Sequence, residues 1–216
     1  TDLAIDIFDS SPIEIISVDS VMVYSDCNIG SAKPSKDILK KYPHHLVDCA
    51  KPDSIFTVSD FYRNSIKLID SIHRRKKVPV FVGGTMMYFK SLLNGLDDLP
   101  ERDDAIRKKY EKIKTQKGIK ELHSMLSNKD EAYANQINQL DEQRIIRALE
   151  VIDISGKPLS AQLGLKNKMC LSDKFNIHQY GILEDDRALL HSRIEDRLNK
   201  IIDSGLVDEV NSLLKK

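Results

Sequence analysis

Two short apolar runs, IEIISV (Ile13 to Val18) and VPVFVGG (Val78 to Gly84), constrain this chain more than any other feature. Both are rich in β-branched residues and bounded by turn formers, so they read as strands. Between them, TVSDFYRNSIKLIDSIHRRKK carries helix signals at both ends. Thr57-x-x-Asp60 spells a capping box, and the basic residues fall where the helix dipole favours them. After the second run, Thr85 leads into MMYFKSLLNG, a further helix. Strand, helix, strand, helix argues for βαβ units: an α/β fold with a parallel sheet flanked by helices. HHLVDC (His44 to Cys49) reads as a second, shorter strand. DLAIDIFD places Leu3, Ala4, Ile7 and Phe8 on one helical face.

The character changes near Leu99-Pro100. Residues 101–138 are highly charged and helix-forming, with no strand signal, and read as a small helical insertion in a core of 1–100 and 139–216. A long amphipathic helix follows, with Ile145, Ala148, Leu149 and Ile152 on one face, ending at Ser155-Gly156. KFNIHQYGIL reads as a late strand. EDDRALLHSRIEDRLNKIIDSG is a helix with acids in its first turn, and LVDEVNSLLKK a last short one.

With 216 residues, 41% of them hydrophobic, the chain can bury a substantial core. Lys+Arg and Asp+Glu stand at 33 each, so overall charge does not announce a nucleic-acid binder, though a local basic face would suffice for one. Cys27, Cys49 and Cys170 are widely spaced, which argues against structural disulfides and a cysteine-rich metal site. The histidines show no chelating spacing. No apolar run approaches the roughly 20 residues needed to span a bilayer. The chain reads as soluble and cytoplasmic, and nothing in it calls for more than a monomer.

In open parallel sheets, ligands sit beyond the carboxyl ends of the strands. The two clearest strands end in Asp19-Ser20 and Gly83-Gly84-Thr85. The glycines would let backbone approach a ligand, and Thr85 would offer a hydroxyl at a helix start. Each pattern alone is also ordinary turn chemistry. Gln143, Arg144 and Arg147 share a helix. They fit a solvated face as well as a binding face, as do Arg107 and Arg187.

Four segments in order carry a resemblance: ISVDSVMVYSDCNIGSAKP, PHHLVDCAKPDSIFTVSDF, VPVFVGGTMMYFKSLL and DEQRIIRALEVIDISGKPL. With EDDRALLHSRIEDRL and GLVDEV, they resemble the tRNA dimethylallyltransferase (tRNA isopentenyltransferase) family over essentially the whole chain. The resemblance implies a P-loop-NTPase-like sheet with a helical insertion that contacts tRNA. In that family a P-loop, G-P-T-x-S-G-K-S/T, precedes a helix much like DLAIDIF, and further helices follow beyond Lys216. Thr1 therefore resembles the last residue of that motif, and the expectation is a native protein carrying both parts.

The resemblance implies transfer of a dimethylallyl group from dimethylallyl diphosphate, with Mg²⁺, to N6 of the adenosine 3′ of the tRNA anticodon. Asp19 would be the general base, with Thr85 beside the reacting groups. Thr1 would assist the metal or diphosphate, and Arg187 would bind the diphosphate. Contacts to the tRNA anticodon stem-loop would come from Asp19, Ser20, Val21, Met22, Thr85 and Arg107, and from Gln143, Arg144, Ile145, Ile146 and Arg147. The alternatives are a P-loop small-molecule kinase, a prenyltransferase acting on free adenine nucleotides, and a non-catalytic RNA-binding protein.

Overall fold

A computed structural model describes residues 2–164 and 170–215. Its contacts divide the chain into two compact units, one comprising Thr1–Asn94 with Lys174–Lys216 and the other Gly95–Asp173.

The first unit is built on a parallel sheet in the order β2-β1-β3, with β1 at Ile13–Val18, β2 at His44–His45 and β3 at Val78–Gly83. Ile15, Ile16 and Val18 of the central strand are fully buried, as a parallel strand covered on both faces requires. Helix α1 (Asp2–Ser10) packs Ala4 against Ile13 and Ile15, with Ile7 and Phe8 alongside. A six-residue helix, α2 (Lys36–Lys41), precedes β2. Helix α3 (Val58–Arg74) turns Phe61, Tyr62, Ser65, Ile69 and Ile72 inward along one stripe. Its capping box forms as the sequence dictates. Thr57 Oγ1 accepts from the Asp60 N–H (3.1 Å), and Asp60 accepts from the Thr57 N–H (2.9 Å). Helix α4 (Met86–Asn94) follows β3 and stacks Tyr88 on Phe61, ring centroids 4.1 Å apart.

Several sequence expectations meet corrections in this unit. β2 stops after His45 because Leu46 and Asp48 adopt left-handed φ of +61° and +52°, which ends an extended run. Leu3 is exposed, so the packed face of α1 is Ala4, Ile7 and Phe8. No strand forms in residues 174–183, where Tyr180, Ile182 and Leu183 are more than 80% exposed. An extended run becomes a strand only by pairing, and residues 174–183 pair with neither outer strand of the β2-β1-β3 sheet. Helix α9 (Arg187–Asp203) starts one residue after the acids of EDD: Asp186 is its cap, accepting from the Ala188 and Leu189 N–H groups. Helix α10 (Leu206–Leu213) follows.

The second unit contains α5 (Asp104–Lys117), α6 (Ile119–Lys129), α7 (Glu131–Ala134) and α8 (Glu142–Ser155). Its core includes Tyr110, Leu122, Leu126, Ile145 and Leu149. The boundary differs from the one expected at residue 138. The apolar stripe of α8 packs on α5 and α6, so the helical unit runs through Asp173. Gly156 closes α8 in the left-handed conformation, φ +69°, which glycine adopts without penalty. Among the described residues, no helix is long and apolar enough to cross a membrane.

Candidate active site

Val18 of β1 lies level with Gly83 of β3, so Asp19 and Gly84-Thr85 emerge side by side at the carboxyl edge of the sheet. The two glycines do different work there. A Cβ at Gly83 would fall 2.2 Å from the Val18 carbonyl oxygen, whereas one at Gly84 would meet nothing within 4 Å. Gly83 therefore serves the approach of one strand to the other, and Gly84 leaves open space beside the edge. Gly83→Ala is expected to lose about 1–3 kcal/mol of stability through this overpacking. Gly84→Ala should stay within about 0.5 kcal/mol of the parent. Denaturant unfolding of the two variants checks the contrast, and equal losses would contradict it.

Asp19 is fixed by its own turn. Its Oδ1 accepts from the N–H groups of Val21 (2.8 Å) and Met22 (3.0 Å). Thr85 ties the same turn to the neighbouring strand: its Oγ1 accepts from the Ser20 N–H (3.1 Å), and its N–H donates to the Val18 carbonyl (3.2 Å). No described residue donates to Asp19 Oδ2, and the Thr85 hydroxyl keeps its own hydrogen to donate. The edge thus presents one free carboxylate oxygen beside one free hydroxyl donor. Ser20 and Val21 are exposed and Met22 half-buried.

Tyr88 lies buried nearby. Burial first, then the negative charges that Tyr24 and Asp19 can carry, push its phenol up to about 12, so its proton stays on at neutral pH. Beyond Asp19, the loop is held by a residue to which sequence reasoning assigned no role. Glu209 of α10 accepts three consecutive backbone N–H groups, those of Asn28 (2.7 Å), Ile29 (2.7 Å) and Gly30 (2.9 Å). Burial would raise its pKa, but these three donors outweigh it and hold the carboxyl below the usual range. The signal for Glu209 lay in GLVDEV, whose spacing says nothing about a partner some 180 residues away.

Arg187 sits at the exposed first turn of α9, and makes no hydrogen bond to Asp19 or Thr85. Thr1 lies outside the described residues. Among the described residues, no group of three or more His, Cys, Asp or Glu side chains could hold a metal ion. Mg²⁺ does not require such a cluster, since it is commonly held by one or two protein oxygens together with substrate phosphates.

In the helical unit, Arg107 and Gln143 are brought together on the lining of one hollow of about 370 Å³, with Arg102 and Lys108. Arg107 is also half of a bidentate pair with Glu150, with Nε and a terminal nitrogen each 3.0 Å from a carboxylate oxygen. Arg147 binds the same carboxylate (2.7 Å) and the Pro100 carbonyl (2.6 Å). Glu150 is fully buried. Burial raises its pKa, but hydrogen bonds from Arg107, Arg147 and the Asp103 N–H outweigh that and lower it. Ile145 and Ile146 are core residues, 0% and 3% exposed, and Ile146 also lines the hollow shared by Arg107 and Gln143. The exposed side chains of this stretch are Gln143 and Arg144.

A family model described as IPP transferase matches residues 22–216. The chain belongs to the IPP transferase family. Among its relatives are a tRNA dimethylallyltransferase of Psychrobacter sp., 43% identical over 99% of this chain, and one of Nitrosomonas eutropha, 40% identical over 98%. The chain spans 59% and 66% of their lengths. A solved Staphylococcus epidermidis tRNA delta(2)-isopentenylpyrophosphate transferase aligns with TM-score 0.57 at 30% identity, covering 99% of this chain and 69% of that one. A eukaryotic dimethylallyltransferase, described as acting on tRNA, aligns with TM-score 0.75 at 22% identity over 99% of this chain and 52% of its own. That second likeness speaks for the fold: the α/β architecture with a small parallel sheet is shared with tRNA prenyltransferases of this family.

Proposed function

We propose that the protein transfers a dimethylallyl group from dimethylallyl diphosphate to N6 of the adenosine 3′ of the tRNA anticodon (position thirty-seven), acting as a cytoplasmic monomer. The observation that carries this reading is the Asp19 carboxylate: one oxygen is locked by two backbone N–H groups, and no described residue donates to the other. An adenine amine is a poor nucleophile, because its lone pair is delocalised into the ring. As N6 bonds to C1 of the dimethylallyl group, its proton passes to the free Asp19 oxygen. The C1–oxygen bond breaks, and its electron pair leaves with the diphosphate. Such general-base help is worth roughly 10²–10⁴-fold.

Thr85, through its hydroxyl hydrogen, would hold the incoming adenine or the donor in line with that oxygen. Exposed Val21, Met86 and Met87, which flank Asp19 and Thr85 in the chain, offer apolar surface that suits a prenyl group. Arg187 would meet the diphosphate. Mg²⁺, entering with Thr1 and the diphosphate oxygens, would neutralise the leaving group. Ser20 to Met22, and separately Arg107, Gln143 and Arg144, would contact the tRNA. The target base is single-stranded, so drawing it into the site costs less than extrusion from a duplex.

The test is acceptor choice. With labelled dimethylallyl diphosphate and Mg²⁺, label is expected in tRNA. Label in free adenine nucleotides, or ATP consumption without prenyl transfer, would overturn the reading in favour of a nucleotide prenyltransferase or a kinase.

A further inference from the structure

Glu209 of α10 makes no hydrogen bond to Asp19 or Thr85, yet a chain of contacts runs from Glu209 to Asp19. Its two carboxylate oxygens divide three successive backbone N–H groups between them. One takes Asn28 and Ile29 (2.7 Å each), the other Gly30 (2.9 Å). Consecutive N–H groups in a turn form a concavity for an anion, and here the protein fills it with its own carboxylate. The loop also lies close against α10. A Cβ at Gly30 would stand 3.0 Å from Leu206 Cδ1 and 3.6 Å from a Glu209 carboxylate oxygen.

From Asn28 the contacts continue inward. Lys33, its side chain 3% exposed, gives the three donors of its ammonium to Asn28 Oδ1 (3.1 Å), the Tyr24 carbonyl (2.8 Å) and Asp48 Oδ1. The Asp48 N–H donates to the Met22 carbonyl (3.1 Å). Met22 in turn donates its own N–H to Asp19 Oδ1 (3.0 Å). The adjoining rung is fixed as well: the Ala50 N–H donates to the Val23 carbonyl (2.9 Å), and the Ser25 N–H to the Ala50 carbonyl (2.8 Å). Every link lies within the first unit.

We infer that Glu209 is a positioning residue for prenyl transfer, holding the Asp19 turn through Asn28, Lys33, Asp48 and Met22. The inference rests on the proposed function, because Glu209 acts through the base of that reaction. The chain ends on the carboxylate itself, so a shift at Met22 moves the group that takes the proton. Misplacing a reacting group by about 1 Å can cost as much as 10²-fold in rate. Contiguity alone does not establish coupling, which has to be measured.

The test is a double-mutant cycle between Glu209→Gln and Asp19→Asn, read as kcat and KM for prenyl transfer to tRNA. Glutamine keeps the shape, but it has one acceptor oxygen for three N–H groups and turns its own NH₂ toward a donor. In the parent, Glu209→Gln should lower kcat roughly 10-fold with KM for tRNA unchanged. In the Asp19→Asn protein it should lower kcat by less than about 2-fold, since no base remains to be misplaced. Glu209→Asp, which restores both oxygens on a shorter arm, should recover part of the loss. Should Glu209→Gln fail to fold by circular dichroism, Glu209→Asp enters the same cycle with an expected loss of roughly 3-fold. A kcat unchanged by the substitution, or a loss of equal size in both backgrounds, would overturn the inference and leave Glu209 a clamp on the loop alone. A loss confined to KM would also overturn it and assign the loop to RNA binding. If the unaltered protein transfers no prenyl group to tRNA, the proposed function falls and the inference falls with it.

Discussion

Asp19→Asn is expected to lower prenyl transfer to tRNA by roughly 10²–10⁴-fold while tRNA affinity stays near that of the parent. Asparagine has nearly the same shape, and its carbonyl oxygen can still accept from the Val21 and Met22 N–H groups, so the turn after β1 should persist. What it loses is the oxygen proposed to take the adenine proton. The contrast between lost turnover and kept binding separates a base from a structural role. A drop in affinity with unchanged kcat would reassign Asp19 to RNA binding, and near-normal turnover would place the base elsewhere.

Glu150→Ala carries the second large effect, on stability. The carboxylate is fully buried and gathers Arg107, Arg147 and the Asp103 N–H, so its removal leaves three donors without their shared acceptor. Breaking a buried pair of this kind typically costs about 3–5 kcal/mol. The lower end is expected, because both arginines are partly exposed and can turn to water. Glu150→Gln, which keeps the size and some hydrogen bonds, should lose less. The same network makes the helical unit acid-sensitive. Glu150 has a folded-state pKa below its ordinary value, and Asp153, half-buried on the same helix and held by Lys109, Lys129 and Tyr110, lies at about 2. Their contribution is complete above the ordinary carboxylate range. It fades as the pH falls through the lowered values. Unfolding followed by tyrosine fluorescence at pH 7 and at pH 3 measures both effects. A Glu150→Ala protein within about 1 kcal/mol of the parent would refute the account of this network.

The parts of the fold that were legible in the sequence depend on local rules. The capping box at Thr57, the stop at Gly156 and the parallel pairing of IEIISV with VPVFVG each follow from nearby residues and strand order. Asp19 and Thr85 were legible as a pair because adjacent parallel strands deliver their ends to one edge. What escaped depends on distant partners. KFNIHQYGIL has the composition of a strand, but a strand needs a distant partner and this run pairs with none. Ile145 and Ile146 shared a motif with exposed Gln143 and Arg144, and only the packing of α8 separates core from surface. Arg147 and Arg107 read as surface cations until Glu150 appears between them. The role of Gly83 also needed the neighbouring strand, since the clash that excludes a side chain is with Val18.

The central claim is that this protein prenylates N6 of one adenosine in tRNA, with the Asp19 carboxylate taking the proton. Its most direct test is mass analysis of nucleosides from tRNA incubated with the protein, dimethylallyl diphosphate and Mg²⁺. The account predicts N6-isopentenyladenosine immediately 3′ of the anticodon, absent when the Asp19→Asn protein is used for the same time. Recovery of unmodified tRNA, or of the prenyl group on a different atom or nucleotide, would contradict it.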